Sequence, residues 1–285
     1  MSSTANTDMS EFWNGEGGEK WLRFQETIDA SLLPFGREVM AAAGISPGER
    51  VLDVGCGCGD TSFDLARLVG SGGRVLGVDI SEPILAHARA RAMSVPEKNV
   101  TFERGDAQLH GFDAAAFDLV FSRFGVMFFD DPVAAFQNLR AALRPGGRAA
   151  FICWRPAKEN EWVSKSLEVV SRHVALLDPP GPEEPGPMSF GDPERVTRIL
   201  TASGFSTIEV NSFDTPFTIG ENLDEAVAFL TQMGPASGAI AQSSASDMLK
   251  ATITSDLREA LVPYDTGSGI TMDSATWVVI ANKAE

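Results

Sequence analysis

Cysteine, histidine and tyrosine are scarce: 285 residues hold three, three and one of them. Cys56 and Cys58 are too close in sequence for an ordinary disulfide, and with Cys153 they make an odd count, so a disulfide framework is excluded and a reducing, cytoplasmic setting is expected. No pair of His, Cys or carboxylate residues has recognisable ligand spacing, so no metal is expected. Basic residues are also few: 23 Lys and Arg stand against 39 Asp and Glu, a net charge of −16. Such a surface repels phosphate backbones and anionic lipid, which argues against nucleic-acid and membrane partners. No stretch approaches the roughly 18 apolar residues of a membrane span. The first ten residues lack the basic and apolar regions of a signal peptide and read as a disordered tail.

What is present is an ordinary globular composition, 44% hydrophobic, with strand-like and helix-like segments alternating from about residue 50. Apolar runs at 50–54, 74–79, 99–103, 117–121 and 148–154 read as strands. The intervening segments 60–69, 82–92 and 132–143 carry helical periodicity and start signals: Asp60 or Thr61, and Ser81 before Pro83. Later elements are a helix over about 159–177, a proline-rich stretch 178–188 that cannot pack as an element, a helix 193–203, a strand 207–213, and a last strand 275–283. Between them, 221–261 reads as two helices separated by the Gly/Ser-rich stretch 234–246. No internal repeat occurs. The pattern predicts an α/β fold: a doubly wound, mostly parallel seven-stranded sheet whose late strands include an antiparallel one.

The strongest motif is Val51-Leu52-Asp53-Val54-Gly55-Cys56-Gly57-Cys58-Gly59-Asp60. A strand running into alternate glycines and then a helix lets backbone approach a ligand closely. The spacing G-x-G-x-G differs from the dinucleotide fingerprint G-x-G-x-x-G, and Asp53 suits a cationic amine rather than a pyrophosphate. Further acids stand at strand ends, where ligands of open parallel sheets bind. Asp79 is placed to accept ribose hydroxyls, and Asp106 to accept from an adenine amino group. Asp118 opens its strand, far from the carboxyl ends, and reads as structural.

VLDVGCGCGD (51–60), VLGVDIS (75–81), FERGDAQ (102–108), FDLVFSRFGVMFF (117–129) and LRPGGR (143–148) together resemble the class I S-adenosylmethionine-dependent methyltransferases with their Rossmann-like fold. The resemblance covers about residues 40–155 plus the last strand. It implies S-adenosylmethionine as methyl donor, with Asp53, Gly55, Cys56, Gly57 and Gly59 near its methionine end. It also implies Asp79 and Ile80 at the ribose, Asp106 and Ala107 at the adenine, and Ser122 and Phe124 along the floor. Trp13-Asn14-Gly15 through Phe35-Gly36, with Cys153-Trp154-Arg155, looks like a small-molecule branch related to quinone-biosynthesis C-methyltransferases; Trp21 of this stretch joins the expected cofactor residues. The Asn/Asp-Pro-Pro-aromatic pattern associated with nucleobase or glutamine nitrogens is lacking in the fourth motif.

Each candidate has a plain alternative. Cys56 and Cys58 are small residues tolerated between glycines as readily as reactive ones. Arg123, just past strand four, either orients a substrate or forms a structural ion pair. His110, His173 and Tyr264 line a pocket or sit on the surface, and His87, in the helix after Asp79, reads as a surface residue. No general base stands out. Residues 10–36 hold Phe12, Trp13, Trp21, Phe24 and Phe35, which must bury themselves on something. The expected organisation is a tail with lid helices over 1–36 and a cofactor-binding core over 37–155. Substrate-side insertions follow at 156–191 and 221–262, and the core is completed by 192–220 and 263–285. The expected activity is methyl transfer to a small, hydrophobic or aromatic acceptor by a monomer or homodimer. Two rivals remain: a cofactor-binding scaffold without turnover, and a nicotinamide-dependent oxidoreductase, which the glycine spacing and Asp53 disfavour.

Overall fold

The computed structural model describes residues 6–176, 178, 181 and 183–285. Three helices come first: α1 (Thr7–Asn14), α2 (Glu16–Arg23) and α3 (Gln25–Ala43). Then β1 (Arg50–Val54), α4 (Asp60–Val69), β2 (Arg74–Asp79), α5 (Glu82–Ser94), β3 (Val100–Arg104), β4 (Phe117–Arg123), α6 (Pro132–Ala142) and β5 (Leu143–Trp154) alternate. The remainder is α7 (Glu161–Ser171), α8 (Pro193–Ala202), β6 (Ser206–Gly220), α9 (Leu223–Gln232), α10 (Gly234–Gln242), α11 (Asp247–Leu261) and β7 (Ile270–Asn282).

The strands form one seven-stranded sheet in the order β3-β2-β1-β4-β5-β7-β6. Strands β1 to β5 are parallel, and β7 runs antiparallel to both β5 and β6. Four of the five β1 residues are buried because helices cover both faces, which explains a continuous apolar run in place of alternation. The strand order reverses between β1 and β4, so their carboxyl ends open a crevice at the switch point. Asp118 is structural as expected: its carboxylate accepts the Arg50 amide at 2.7 Å and pairs with Arg144.

Several local expectations need correction. Residues 1–5 of the presumed tail lie outside the described residues, but 7–10 belong to α1. The cap of α4 is Gly59 (φ 85°) and neither Asp60 nor Thr61; the Thr61 hydroxyl serves a buried acid instead. Strand β5 starts at Leu143 rather than 148, running through its prolyl-glycine turn. β6 extends to Gly220 past Pro216, which an edge strand tolerates. The Gly/Ser-rich stretch after 234 folds as α10: Pro235 starts it, and Ala236, Ala239 and Ile240 are buried beside α7 and α9. The helix expected over 159–177 ends at Ser171, leaving His173 in the turn beyond it; Leu177 and part of the proline-rich stretch fall outside the described residues. The line drawn between 36 and 37 falls inside α3, which is continuous from Gln25 to Ala43.

Candidate active site

Gly55, Gly57 and Gly59 leave β1 with φ of 67°, 56° and 85°, a left-handed region that only glycine enters freely. Space closes the first position further, because a Cβ on Gly55 would lie 2.8 Å from the Gly125 Cα. The turn after β4 therefore presses directly on the turn after β1. Ser122 fastens them: its buried hydroxyl donates to the Val54 carbonyl at 2.7 Å and accepts the Gly125 amide at 3.2 Å. Cys56 and Cys58 are both buried in the turn, and burial pushes the Cys56 thiol well up and the Cys58 thiol to about 12. Protonated and enclosed, they serve as small apolar fillers. Among the described residues no group of three or more His, Cys, Asp or Glu is placed to hold a metal ion.

Three acids surround this turn. Asp53 is 1% exposed; Thr61 and Ser62 at the start of α4 donate their hydroxyls to its Oδ2 at 2.8 and 2.6 Å. Its Oδ1 is buried without a partner. Burial lifts the Asp53 carboxyl to about 6, against the lowering pull of those hydroxyls and of Arg123. At the end of β2, the half-buried Asp79 accepts the Gly57 amide on Oδ2 and the Ser81 amide on Oδ1, each at 2.9 Å. Its pKa too is raised by burial, opposed by these backbone donors. Asp106, past β3, accepts the Asn6 side-chain amide and the Gln108 backbone amide on Oδ1, both at 2.9 Å, while its Oδ2 is buried and unpartnered. Ala107 is buried beside it, its carbonyl held by Asn138 at 2.9 Å.

The N-terminal helices lie along the same edge. Asn6 bridges from Asp106 to the Asp130 amide (2.7 Å). The Trp13 carbonyl accepts from Ser81 Oγ at 2.7 Å, and Asn14 donates to the Ile80 carbonyl at 3.1 Å while accepting the Glu82 amide at 3.0 Å. Trp21 stands over the glycine turn: its Nε1 is buried without a partner, 3.7 Å from where a Cβ on Gly57 would sit. Sequence reading singled out Trp21 but missed Asn6, Asn14 and Gln108. Polar residues in a polar segment give no signal of their own; the aromatics around them, which demanded a packing partner, were the one available clue.

The weak catalytic candidates are not brought together. Arg123 is committed to Asp60 (3.1 Å) and Asp29 (3.9 Å), and Arg91 reaches Asp29 and the Cys58 carbonyl, so the ion-pair reading fits it. His110 stands 3.7 Å from Glu103 in the loop after Asp106. His173 bonds Asp256 at 2.8 Å, tying the end of α7 to α11. Phe124, immediately past β4, takes φ 61° and stacks on Trp154 with centroids 4.2 Å apart. Such a conformation is strained for a bulky side chain.

Among the buried polar atoms without partners are a donor at Trp21, over the glycine turn, and acceptors at Asp53, near the end of β1, and Asp106, past the end of β3. A ligand with a carboxylate, a cationic amine and an exocyclic amino group meets all three, and a diol meets Asp79. A pyrophosphate would face two carboxylates instead.

Residues 51–147 match a family model described as a methyltransferase domain. The chain is 40% identical over 118 residues to an aklanonic acid methyltransferase of Streptomyces sp. (strain C5), a stretch that makes up 41% of this chain and 54% of that enzyme. It spans about half the length of the curated relatives it matches first. A Mycobacterium tuberculosis (strain ATCC 25618 / H37Rv) protein described as uncharacterized is 31% identical over 237 residues, covering 82% of this chain and 81% of its own. Among solved structures, the YcgJ protein of Bacillus subtilis shares the fold, with a TM-score of 0.58 at 17% identity over 90% of this chain and 99% of that one.

Proposed function

Since this chain belongs to the family of class I S-adenosylmethionine-dependent methyltransferases, we propose that it moves a methyl group from S-adenosylmethionine to a small hydrophobic or aromatic metabolite. The observation that carries the cofactor assignment is the set of unpartnered buried atoms at Trp21, Asp53 and Asp106. Trp21 Nε1 would donate to the carboxylate of the donor, Asp53 Oδ1 would accept from its ammonium, and Asp106 Oδ2 from its adenine amino group. Asp79 retains a free lone pair on each oxygen beside its backbone bond, one for each ribose hydroxyl. When bound, the sulfonium supplies a methyl group already activated for in-line displacement. The protein's part is then to bind, to align the acceptor within roughly 3–3.5 Å of that carbon, and to exclude water. Arg123 is neutralised by Asp60 and Asp29, which suits an apolar acceptor. The floor between Phe124 and Trp154 is aromatic, and α1 and α2 form a cover along the donor's edge.

Mass spectrometry of a metabolite library with isotopically labelled donor tests the activity. Label in no product, with cofactor bound, would leave a scaffold as the function.

A pH dependence follows from Asp53. Its carboxyl in the folded chain titrates near 6, above the ordinary 3.8. The native state therefore holds an extra proton between those values, and stability from this group falls as pH rises through them, by about 3 kcal/mol in total. An ammonium against Oδ1 favours the ionised form, so affinity for S-adenosylmethionine changes the opposite way. It should strengthen by about tenfold from pH 5 to pH 7 with a midpoint near 6. Asp79 is raised in the same direction by burial; Asp53→Asn removes the Asp53 contribution and weakens binding. Calorimetry giving the same affinity at pH 5 and pH 7 would refute this role.

A further inference from the structure

Once the polar atoms around the glycine turn are assigned to the donor, one buried indole N–H is left over. Trp162, in the first turn of α7, is 6% exposed, and its Nε1 has no hydrogen-bond partner. Buried tryptophan N–H groups nearly always find an acceptor. The ring lies against Gly234 at the start of α10, where a Cβ would come within 3.0 Å of it. Its aromatic neighbours are Trp154 (5.3 Å) and Phe217 (5.4 Å). Trp154 in turn stacks on Phe124 and touches Phe35 at 5.3 Å. Phe124 holds its left-handed backbone next to the Gly55–Gly125 contact, where the methyl group would be delivered. The leftover donor therefore sits two ring contacts from the transfer point, at the far end of an aromatic row.

We infer that Trp162 is a specificity residue, and that its indole N–H donates a hydrogen bond to a carbonyl oxygen on an aromatic methyl acceptor, remote from the atom that is methylated. The inference rests on the apolar-acceptor reading above. A carbonyl fits better than a carboxylate, because the rings touching Trp162 carry no charge to neutralise an anion, and a buried unpaired anion is strongly disfavoured. The bond adds specificity because a site holding an unmet donor discriminates against the analogue that lacks the oxygen.

The test uses the full chain saturated with S-adenosylhomocysteine and two probes of one shape: 1-tetralone, which carries an aryl ketone, and tetralin, which does not. Calorimetry on the wild type should give about tenfold tighter binding of the ketone, and Trp162→Phe should abolish that preference while the variant stays folded. A second readout needs no variant to bind. Of the five tryptophan indole N–H resonances, the one missing from the Trp162→Phe spectrum should shift with 1-tetralone and stay in place with tetralin. Equal affinities for the two probes, or an unmoved Trp162 resonance at saturating ketone, overturn the donor role and leave the apolar-acceptor reading intact. Binding of neither probe overturns both. If Trp162→Phe fails to fold, the ketone-to-hydrocarbon ratio on the wild type decides, with the indole resonance assigned through Trp162→Tyr.

Discussion

Asp79→Ala should weaken S-adenosylmethionine binding by about 100-fold or more. Two charge-assisted hydrogen bonds to a ribose diol, each worth roughly 1.5–3 kcal/mol, would be lost together. The loss has a second source in the structure, since Asp79 also accepts the Gly57 amide and so holds the glycine turn in shape. Asp79→Asn keeps one acceptor oxygen and the volume, and should fall between wild type and alanine. The unliganded fold should change little, because Asp79 sits at a strand end at the open crevice and not among the packed side chains. Calorimetry is the direct measurement, with thermal unfolding of the unliganded variant as the control. An affinity within a factor of three of wild type would remove Asp79 from the ribose site.

Deleting residues 1–24 should abolish turnover and weaken cofactor binding by about tenfold or more while leaving a folded protein. The deletion takes Asn6 from Asp106, Asn14 from the Ile80 carbonyl, and Trp21 from above Gly57. It spares α3, whose Ile28, Leu32, Phe35 and Val39 are buried in the core. Trp13 also leaves its edge-on contact with Phe128, 5.5 Å between centroids, so some apolar surface is newly exposed and the unfolding temperature should drop by a few degrees. In the full-length chain, S-adenosylhomocysteine should protect this segment from limited proteolysis. Normal turnover by the truncated chain would show that α1 and α2 merely cover a helix flank. Loss of the fold would show them to be core.

Much of the crevice was legible because its demands are local. A turn with three left-handed residues requires glycines at alternate positions, and strand ends in a parallel sheet all face one way, so acids placed there converge. The doubly wound sheet followed from the alternation of elements, and the antiparallel entry of β7 from its lateness. What stayed hidden depends on partners far along the chain. Thr61 looks like a helix cap until the buried carboxylate of Asp53 is seen to take its hydroxyl together with that of Ser62. Asn6 has no meaning without Asp106, a hundred residues away. Gly234-Pro235-Ala236-Ser237-Gly238 reads as a break, yet tertiary burial of Ala236, Ala239 and Ile240 makes it a helix. Arg123, expected just past strand four, is the last residue of β4, and its two carboxylate partners come from α3 and α4; pairing of that kind leaves no trace in composition.

The contact of Gly55 with Gly125 has a consequence for anyone rebuilding this protein. Two loops drawn from different halves of the domain meet backbone to backbone, and the hydroxyl of Ser122 rivets them. They are therefore one module interrupted by some seventy residues of intervening chain. A graft that moved the glycine turn alone into another scaffold would set it against a neighbour with a side chain, and the two would be forced apart. Loop exchanges aimed at new acceptors have to carry residues 122–125 with the donor turn, or leave both untouched and vary the α7 and α10 walls instead.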